Sequence, residues 1–161
     1  MKRRRHVGPI EPVGDGTFVI NLSEQDRLTM TGFVEQLEEL LESDISDPRL
    51  RRLFPVAYHD DPERNAEYQS YMSDELRQSR ASSIATVKEL LAHSDPISEH
   101  QLHGFMIVLN SLRLVLGTLL DVDESIDTDD IDETDPLYGQ AQLYGYLGWL
   151  LEWTVSALAG E

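Results

Sequence analysis

The sequence has no cysteine among its 161 residues. Disulfide bonds, metal sites built from thiolates and cysteine nucleophiles are therefore excluded. Any regulation that works by oxidising a thiol pair is excluded for the same reason. Stability must come from a hydrophobic core, and a single domain of this length is large enough to build one.

Positive charge is also scarce: 13 lysine and arginine residues face 30 aspartate and glutamate residues, a net charge of −17. Four of the basic residues form one cluster at Lys2–Arg5, which we expect to be a flexible end covering residues 1–5. Domains that bind nucleic acid usually carry a basic face or stripe. The remaining charge therefore argues against direct DNA binding by the body of the protein and favours a basic protein partner.

No hydrophobic run is long enough to cross a membrane. The most apolar stretch, residues 105–120, includes Arg113 and is shorter than the roughly 20 apolar residues that a spanning helix needs. No apolar segment follows the N-terminal basic cluster, so we see no signal peptide and expect a cytoplasmic protein. Read as a helix, the stretch has apolar residues on opposite faces. This pattern predicts the central helix of a bundle, at about residues 99–120.

Other segments predict a hairpin and several more helices. Residues 6–22 combine strand-forming residues with a glycine-rich turn, which is typical of a β-hairpin. Ser23 and Ser98 are suitable helix caps, and Ser73 could restart a helix that begins at Pro62. We predict one all-α domain, residues 1–161, in which a bundle of five to six helices over residues 24–158 carries a small N-terminal β-hairpin.

The last predicted helix opens at Asp135-Pro136 and runs to about Leu158. Its core stripe is predicted to contain Leu137, Ala141, Tyr144, Gly148, Leu151, Val155 and Leu158. A second apolar face on the opposite side contains Tyr146, Trp149 and Trp153. That face is either buried within the monomer or exposed as a homodimer or partner surface.

No motif in the sequence indicates catalysis. It has no glycine-rich phosphate loop, nucleophile elbow or Ser-His-Asp arrangement, and we assign no catalytic residue, cofactor or metal. The acidic loop at residues 121–135 resembles a calcium loop in its oxygen spacing, but Ile126 and Asp132 stand where an EF-hand needs glycine and glutamate. His100 and His103 could share a metal on one helix face, yet no third ligand follows at motif spacing.

Three polar residues interrupt otherwise apolar helical surfaces: Arg80, Asn110 and Arg113. Buried guanidinium groups need carboxylate or carbonyl partners. The candidate carboxylates are Asp60, Asp61, Asp74 and Glu75. We interpret this set as a structural polar network that fixes helix register, in preference to a ligand site. Replacing Arg113 by alanine is expected to be strongly destabilising.

The only basic concentration in the body is formed by Arg49, Arg51 and Arg52. These residues follow Asp47-Pro48, which can start a short turn. The simplest interpretation is a solvated turn that neutralises its acidic neighbours; the alternative is a docking patch for a partner.

Three stretches carry a resemblance to a known family: residues 52–80, 108–120 and 146–158. Their most specific parts are Leu-Phe-Pro…Asp-Asp and Leu-Asn-x-Leu-Arg-Leu-x-Leu-Gly. Together they resemble a bacterial family of unknown function that is associated with the oxidative-stress transcription regulator AosR. The resemblance implies an all-helical regulator that works with a transcription complex and has no known catalysis. The cysteine-based redox response of that family cannot apply to this chain.

Resemblance and charge together favour a regulatory protein that binds another protein, with a sigma factor or RNA polymerase as the expected partner. A non-transcriptional adaptor or assembly protein would have the same sequence features. A metal-dependent enzyme that uses His100 and His103 is the third hypothesis.

Overall fold

The structure is a computed structural model that describes residues 7–43, 47–54, 60–120 and 131–161. This part of the chain contains the helices α1 (Glu24–Glu42), α2 (Pro62–Ala92), α3 (Glu99–Leu119) and α4 (Tyr138–Ala159), a 3₁₀ turn (Pro48–Leu50), and the strands β1 (Ile10–Gly14), β2 (Thr17–Ile20) and β3 (Ile97–Ser98). The predicted basic end, residues 1–5, and residues 121–130 of the predicted acidic loop lie outside the described residues.

Helix α3 is the central helix, as the sequence predicts. It packs against α1, α2, α4, the 3₁₀ turn and the sheet, and it buries Phe105 and Leu109 completely. A capping box starts it, since the Ser98 hydroxyl accepts from the Gln101 amide (3.2 Å) and the Gln101 side chain accepts from the Ser98 amide (2.8 Å). By length and composition alone, α3 could cross a membrane. In the structure it packs against each of the other described helices.

The prediction of five to six helices is wrong, because the described part of the chain contains four α-helices. The predicted interruption at Ser73 does not occur: Ser73 is buried within α2, which continues for 31 residues. No glycine or proline follows Pro62 inside that helix to break it. Asp47-Pro48 starts only the three-residue 3₁₀ turn.

The predicted N-terminal hairpin is confirmed, with a third strand added. β1 and β2 pair antiparallel, and the turn between them has positive φ at Gly14, Asp15 and Gly16 (100°, 53° and 70°). Such angles suit glycine, which lacks the Cβ that disfavours them. β3 pairs with β2 so that Ile97 lies opposite Phe18. A two-residue strand is too short to leave an alternating pattern, which explains why it was not predicted.

Helix α4 buries only part of the predicted core stripe: Ala141 is buried, and Leu151 and Leu158 are partly buried against the core. The buried residues are Ala141, Leu147, Leu150, Thr154 and Ala157, whereas Val155 of the predicted stripe is 47% exposed. The helix has apolar residues on nearly every side, so its sequence pattern does not determine which side faces the core. It also begins later than predicted, because the Asp135 carboxylate accepts from the Leu137 amide (2.8 Å) in a turn that precedes Tyr138.

Candidate functional site

The aromatic face, which we define as Tyr146, Trp149 and Trp153 of α4, lies partly open to solvent. Trp149 is 46% exposed and Trp153 is 41% exposed, while Tyr146 is half-buried. The rings of Tyr146 and Trp149 are tilted by 37° with centroids 5.8 Å apart, within the range of favourable aromatic pairs. Of the two interpretations that the sequence left open, full burial within the monomer does not apply to the tryptophans. A partner or homodimer role for them stays a prediction.

A groove of about 410 Å³ runs along this aromatic face, and we call it the aromatic groove. Its other wall is the start of the described chain together with the beginning of α1. Besides the aromatic face, the lining residues are Val7, Gly8, Pro9, Asn21, Leu22 and Asp26. Gly8 packs directly on the Trp153 indole, and the Asn21 side-chain amide donates to the Gly8 carbonyl (2.9 Å). These contacts hold the N-terminal segment beside α4.

Tyr146 gives the aromatic groove a buried polar group. Its hydroxyl is shielded from solvent and has no hydrogen-bond partner among the described residues. Burial raises the pKa of Tyr146, and the nearby Asp26 carboxylate raises it further because a second negative charge is disfavoured there. The hydroxyl therefore stays protonated and able to donate or accept a hydrogen bond.

Among the described residues, the two arginines of the predicted polar network lie over aromatic rings and form no ion pair with a carboxylate. Arg80 lies over the Phe54 ring (5.4 Å from Cζ to the centroid), and Arg113 lies over the Tyr144 ring (5.0 Å). The Nε atoms of both arginines are buried and have no hydrogen-bond partner among the described residues. Burial also lowers the pKa of Arg80. Within the described part of the chain, each guanidinium thus has a cation–π contact with an aromatic face. The ion pairs that the sequence suggested stay a prediction.

The other three residues of that predicted network lie at the surface. Asn110 is exposed on α3, away from the apolar neighbours expected for it. Asp60 is also exposed, and the Asp61 carboxylate accepts from the Arg64 amide (3.0 Å) as the cap of α2. Helix capping satisfies backbone N–H groups that have no partner within the helix, and this explains the position of Asp61.

The three arginines around the 3₁₀ turn have different surroundings. Arg49 is exposed and forms a two-point ion pair with Asp47 (3.0 and 2.7 Å), which lowers the pKa of Asp47 to about 2 and raises the pKa of Arg49. Arg51 is exposed, whereas Arg52 is half-buried and packs against Gly117 of α3. Arg49 and Arg51 therefore remain accessible to a partner, while Arg52 contributes to the packing of the turn on α3.

A second groove, of about 440 Å³, lies between α1, α3 and α4 and is lined mainly by apolar residues. Leucines from all three helices line it, and Arg49 stands at its edge. Gln36 and Gln140 are its other polar residues. So few polar groups give the groove little to orient a small polar molecule.

Metal-binding groups are not clustered in the described ranges, where no three histidine, aspartate or glutamate side chains are placed to hold one ion. His100 and His103 are both exposed, and the nearest carboxylate oxygen to His103 Nε2 is that of Glu99, 3.8 Å away. The calcium-like positions at residues 121–130 lie outside the described residues. A metal role for the two histidines stays an untested hypothesis.

Sequence reasoning missed two features of this region. Nothing in the sequence around Gly8 indicates that it meets Trp153, since the two residues are far apart in the chain. Arg27 was also missed: its guanidinium donates to the carbonyls of Ile20 (2.7 Å), Leu90 (3.3 Å) and His93 (2.7 Å). An arginine in the first turns of a helix gives no signal that its partners lie at the end of another helix.

Comparison with known proteins places the chain in a family. No curated protein and no solved structure matches it. The family model of a domain of unknown function, DUF2017, matches residues 7–158. This match covers nearly the whole chain, and the protein therefore belongs to the DUF2017 family.

Proposed function

We propose that this protein is a cytoplasmic, non-enzymatic regulator that acts by binding a component of the transcription machinery, either a sigma factor or RNA polymerase. The observation that carries the proposal is the exposed aromatic face of α4. Both tryptophans are more than 40% exposed, on a chain with few aromatic residues. Neighbouring exposed aromatic side chains of this kind mark a surface that a partner can cover. Tryptophan and tyrosine are also the residues most enriched in the energetic centres of protein interfaces.

Charge supports a protein partner over nucleic acid. The net charge of −17 repels a phosphate backbone, whereas it attracts a basic surface and speeds encounter with it. The transcription part of the proposal comes from the resemblance to the AosR-associated family. A response to oxidative stress, if it exists in this protein, has to work without a thiol because the chain has no cysteine.

The proposal is tested by binding of purified components. The protein is immobilised and presented separately with core RNA polymerase, with sigma factors of a bacterium that carries it, and with duplex DNA, at about 50 and 300 mM salt. We expect saturable binding of polymerase or a sigma factor, and no comparable binding of DNA. Trp149→Ala should weaken that binding at least about fivefold, as expected for an aromatic residue at an interface centre.

Val155→Ala is the matched control, since Val155 is as exposed as Trp149 on the same helix but lies away from the aromatic face. It should bind like the unmodified protein. Tight, salt-sensitive binding to duplex DNA without any transcription protein would overturn the proposal. Binding of a purified partner from outside transcription would instead favour the adaptor hypothesis. Stoichiometric transition metal found by elemental analysis would favour the enzyme hypothesis.

A further inference from the structure

The aromatic groove combines aromatic rings with negative charge. Among the described residues that line the groove, Asp26 is the only one with a carboxylate side chain. None of these lining residues is a lysine or an arginine. Asp26 is exposed at the start of α1, and its charge reaches Tyr146 across the groove. Glu11 lies close to the rim, where its carboxylate accepts from Asn21 (3.2 Å). Among the described residues, the charge around the groove thus has the same sign as that of the whole chain.

The nearest basic residue in sequence does not neutralise Asp26. Arg27 is turned toward another side of α1, where its guanidinium donates to the carbonyls of Ile20, Leu90 and His93. Asp26 forms no ion pair with any described residue. Its carboxylate is therefore available to a cation that enters the groove.

Aromatic faces attract cations through the negative potential above the ring, and tryptophan does so most strongly. Arginine is the better ligand than lysine for such a site, because its planar guanidinium stacks on a ring and is more weakly hydrated. The described residues show the same contact twice inside the protein, in Arg80 over Phe54 and Arg113 over Tyr144. In the aromatic groove, by contrast, no described lysine or arginine lies over the rings.

We propose that the aromatic groove binds an arginine side chain from an extended segment of the partner protein. The guanidinium would lie over the indole of Trp149 or Trp153 and pair with the Asp26 carboxylate. This inference rests on the proposed function and deepens it, since it specifies the surface and the chemistry of the partner segment.

The two tryptophans make the groove directly observable. They are the only tryptophans in the chain, and both line the groove, so intrinsic fluorescence reports its occupancy without a label. The probe is an eight-residue peptide of alternating arginine and serine with blocked ends. Three matched peptides replace every arginine with lysine, citrulline or glutamate. Citrulline keeps the shape of arginine but lacks its charge.

We expect a saturable change in tryptophan emission with the arginine peptide, weaker binding of the lysine peptide, and none of the citrulline and glutamate peptides. Salt should weaken the binding, because exposed charge pairs are screened. Asp26→Asn should reduce affinity about two- to fivefold, in the range of an exposed ion pair. Glu35→Gln is the matched control: it removes the same charge from an exposed residue of α1 that does not line the groove, and it should bind normally.

Trp149→Ala should reduce affinity at least about fivefold, with Trp153 as the remaining reporter. Melting temperatures of all variants show whether each is folded, and Trp149→Phe provides a milder change that keeps an aromatic ring. Equal binding of the arginine and citrulline peptides would overturn the inference. So would binding that is unaffected by both Asp26→Asn and Trp149→Ala. If the peptide binds only to a variant that lacks residues 1–6, the chain's own basic end is the occupant of the groove and the inference is wrong.

Different experimental outcomes would contradict the inference and the proposed function. If polymerase or a sigma factor binds but Asp26→Asn and Trp149→Ala leave that binding unchanged, the partner uses another surface and the inference is wrong. If the arginine peptide binds as expected but no transcription protein does, the groove is a cation site and the transcription role is wrong.

Discussion

Gly8 lies against the six-membered ring of the Trp153 indole, although the two residues are separated by almost the whole chain. A methyl group at residue 8 would stand 2.6 Å from Cζ3 and 2.9 Å from Cη2 of the ring, closer than carbon atoms approach one another without a clash. The contact fixes the N-terminal segment beside α4 and shapes one wall of the aromatic groove. It connects the first described residues to the last helix.

Gly8→Ala should therefore displace either the Trp153 ring or the N-terminal segment. We expect the free energy of unfolding to fall by about 1–3 kcal/mol, the usual cost of overpacking, and tryptophan emission to shift to the red. Urea titration followed by fluorescence measures both. Gly32→Ala is the control, since a Cβ there meets nothing within 4 Å and should stabilise α1 by about 0.5–1 kcal/mol. Unchanged stability and emission in Gly8→Ala would contradict the packing.

Arg27 connects α1 to the end of α2 and to the sheet. Its guanidinium donates to four backbone carbonyls, those of Ile20, Leu22, Leu90 and His93. Arg27→Lys should lower the free energy of unfolding by about 1.5–3 kcal/mol, because an ammonium group cannot reproduce the planar set of donors. Lys88→Met is the comparison: it removes the half-exposed pair with Glu38 (3.3 Å) and should cost less than about 1 kcal/mol in the same denaturation assay. Equal effects would argue against a connecting role for Arg27.

Arg113 should couple to Tyr144 in a double-mutant cycle. Arg113→Met keeps most of the aliphatic stem and removes the charge, and Tyr144→Leu removes the ring. We expect a coupling free energy of about 0.5–2 kcal/mol from thermal or urea unfolding. We expect the effect of Arg113 to be smaller than the sequence suggested, because the guanidinium lies over a ring and forms no ion pair with a buried carboxylate among the described residues. Ser98→Ala is the distant control and should be additive with Arg113→Met.

Asp47 should titrate far below an ordinary aspartate. Its pKa is lowered from 3.8 to about 2 by the hydrogen bonds from the Arg49 side chain and amide. A carboxyl whose folded pKa lies below its unfolded pKa stabilises the fold above the unfolded value, and this contribution is lost as the pH falls from about 4 to about 2. Carboxyl NMR titration measures the pKa directly. Arg49→Gln should raise it toward 3.8, while Arg51→Gln should leave it low.

The sequence was a good guide wherever a signal lies within a few neighbouring residues. The cap at Ser23 is present, with its hydroxyl accepting from the Asp26 amide (3.0 Å), and the capping box at Ser98 is present in full. Met30, Val34 and Leu37, which recur three or four residues apart in the sequence, are all buried on α1. Local hydrogen bonds and a regular apolar period act over one or two helical turns, so the sequence alone reveals them.

Helix α4 and the arginines show where sequence reasoning stopped. An apolar helix can bury any of its sides, and only contact with α3 and β1 determines that Leu147 and Leu150 face inward while Trp149 faces the groove. A lone arginine on an apolar surface requires a partner, but the surrounding sequence does not show whether that partner is a carboxylate or an aromatic ring.

By itself, the sequence determined the charge, the absence of thiol chemistry, the mainly helical fold with its hairpin, and the central place of α3. These properties depend on composition and on short-range periodicity. Only the tertiary structure decided that Gly8, Asp26 and Trp153 line one groove and that the rings there remain exposed. Such a site is made by residues from both ends of the chain, and their proximity is set by how the helices pack, because no local pattern records contacts between distant segments.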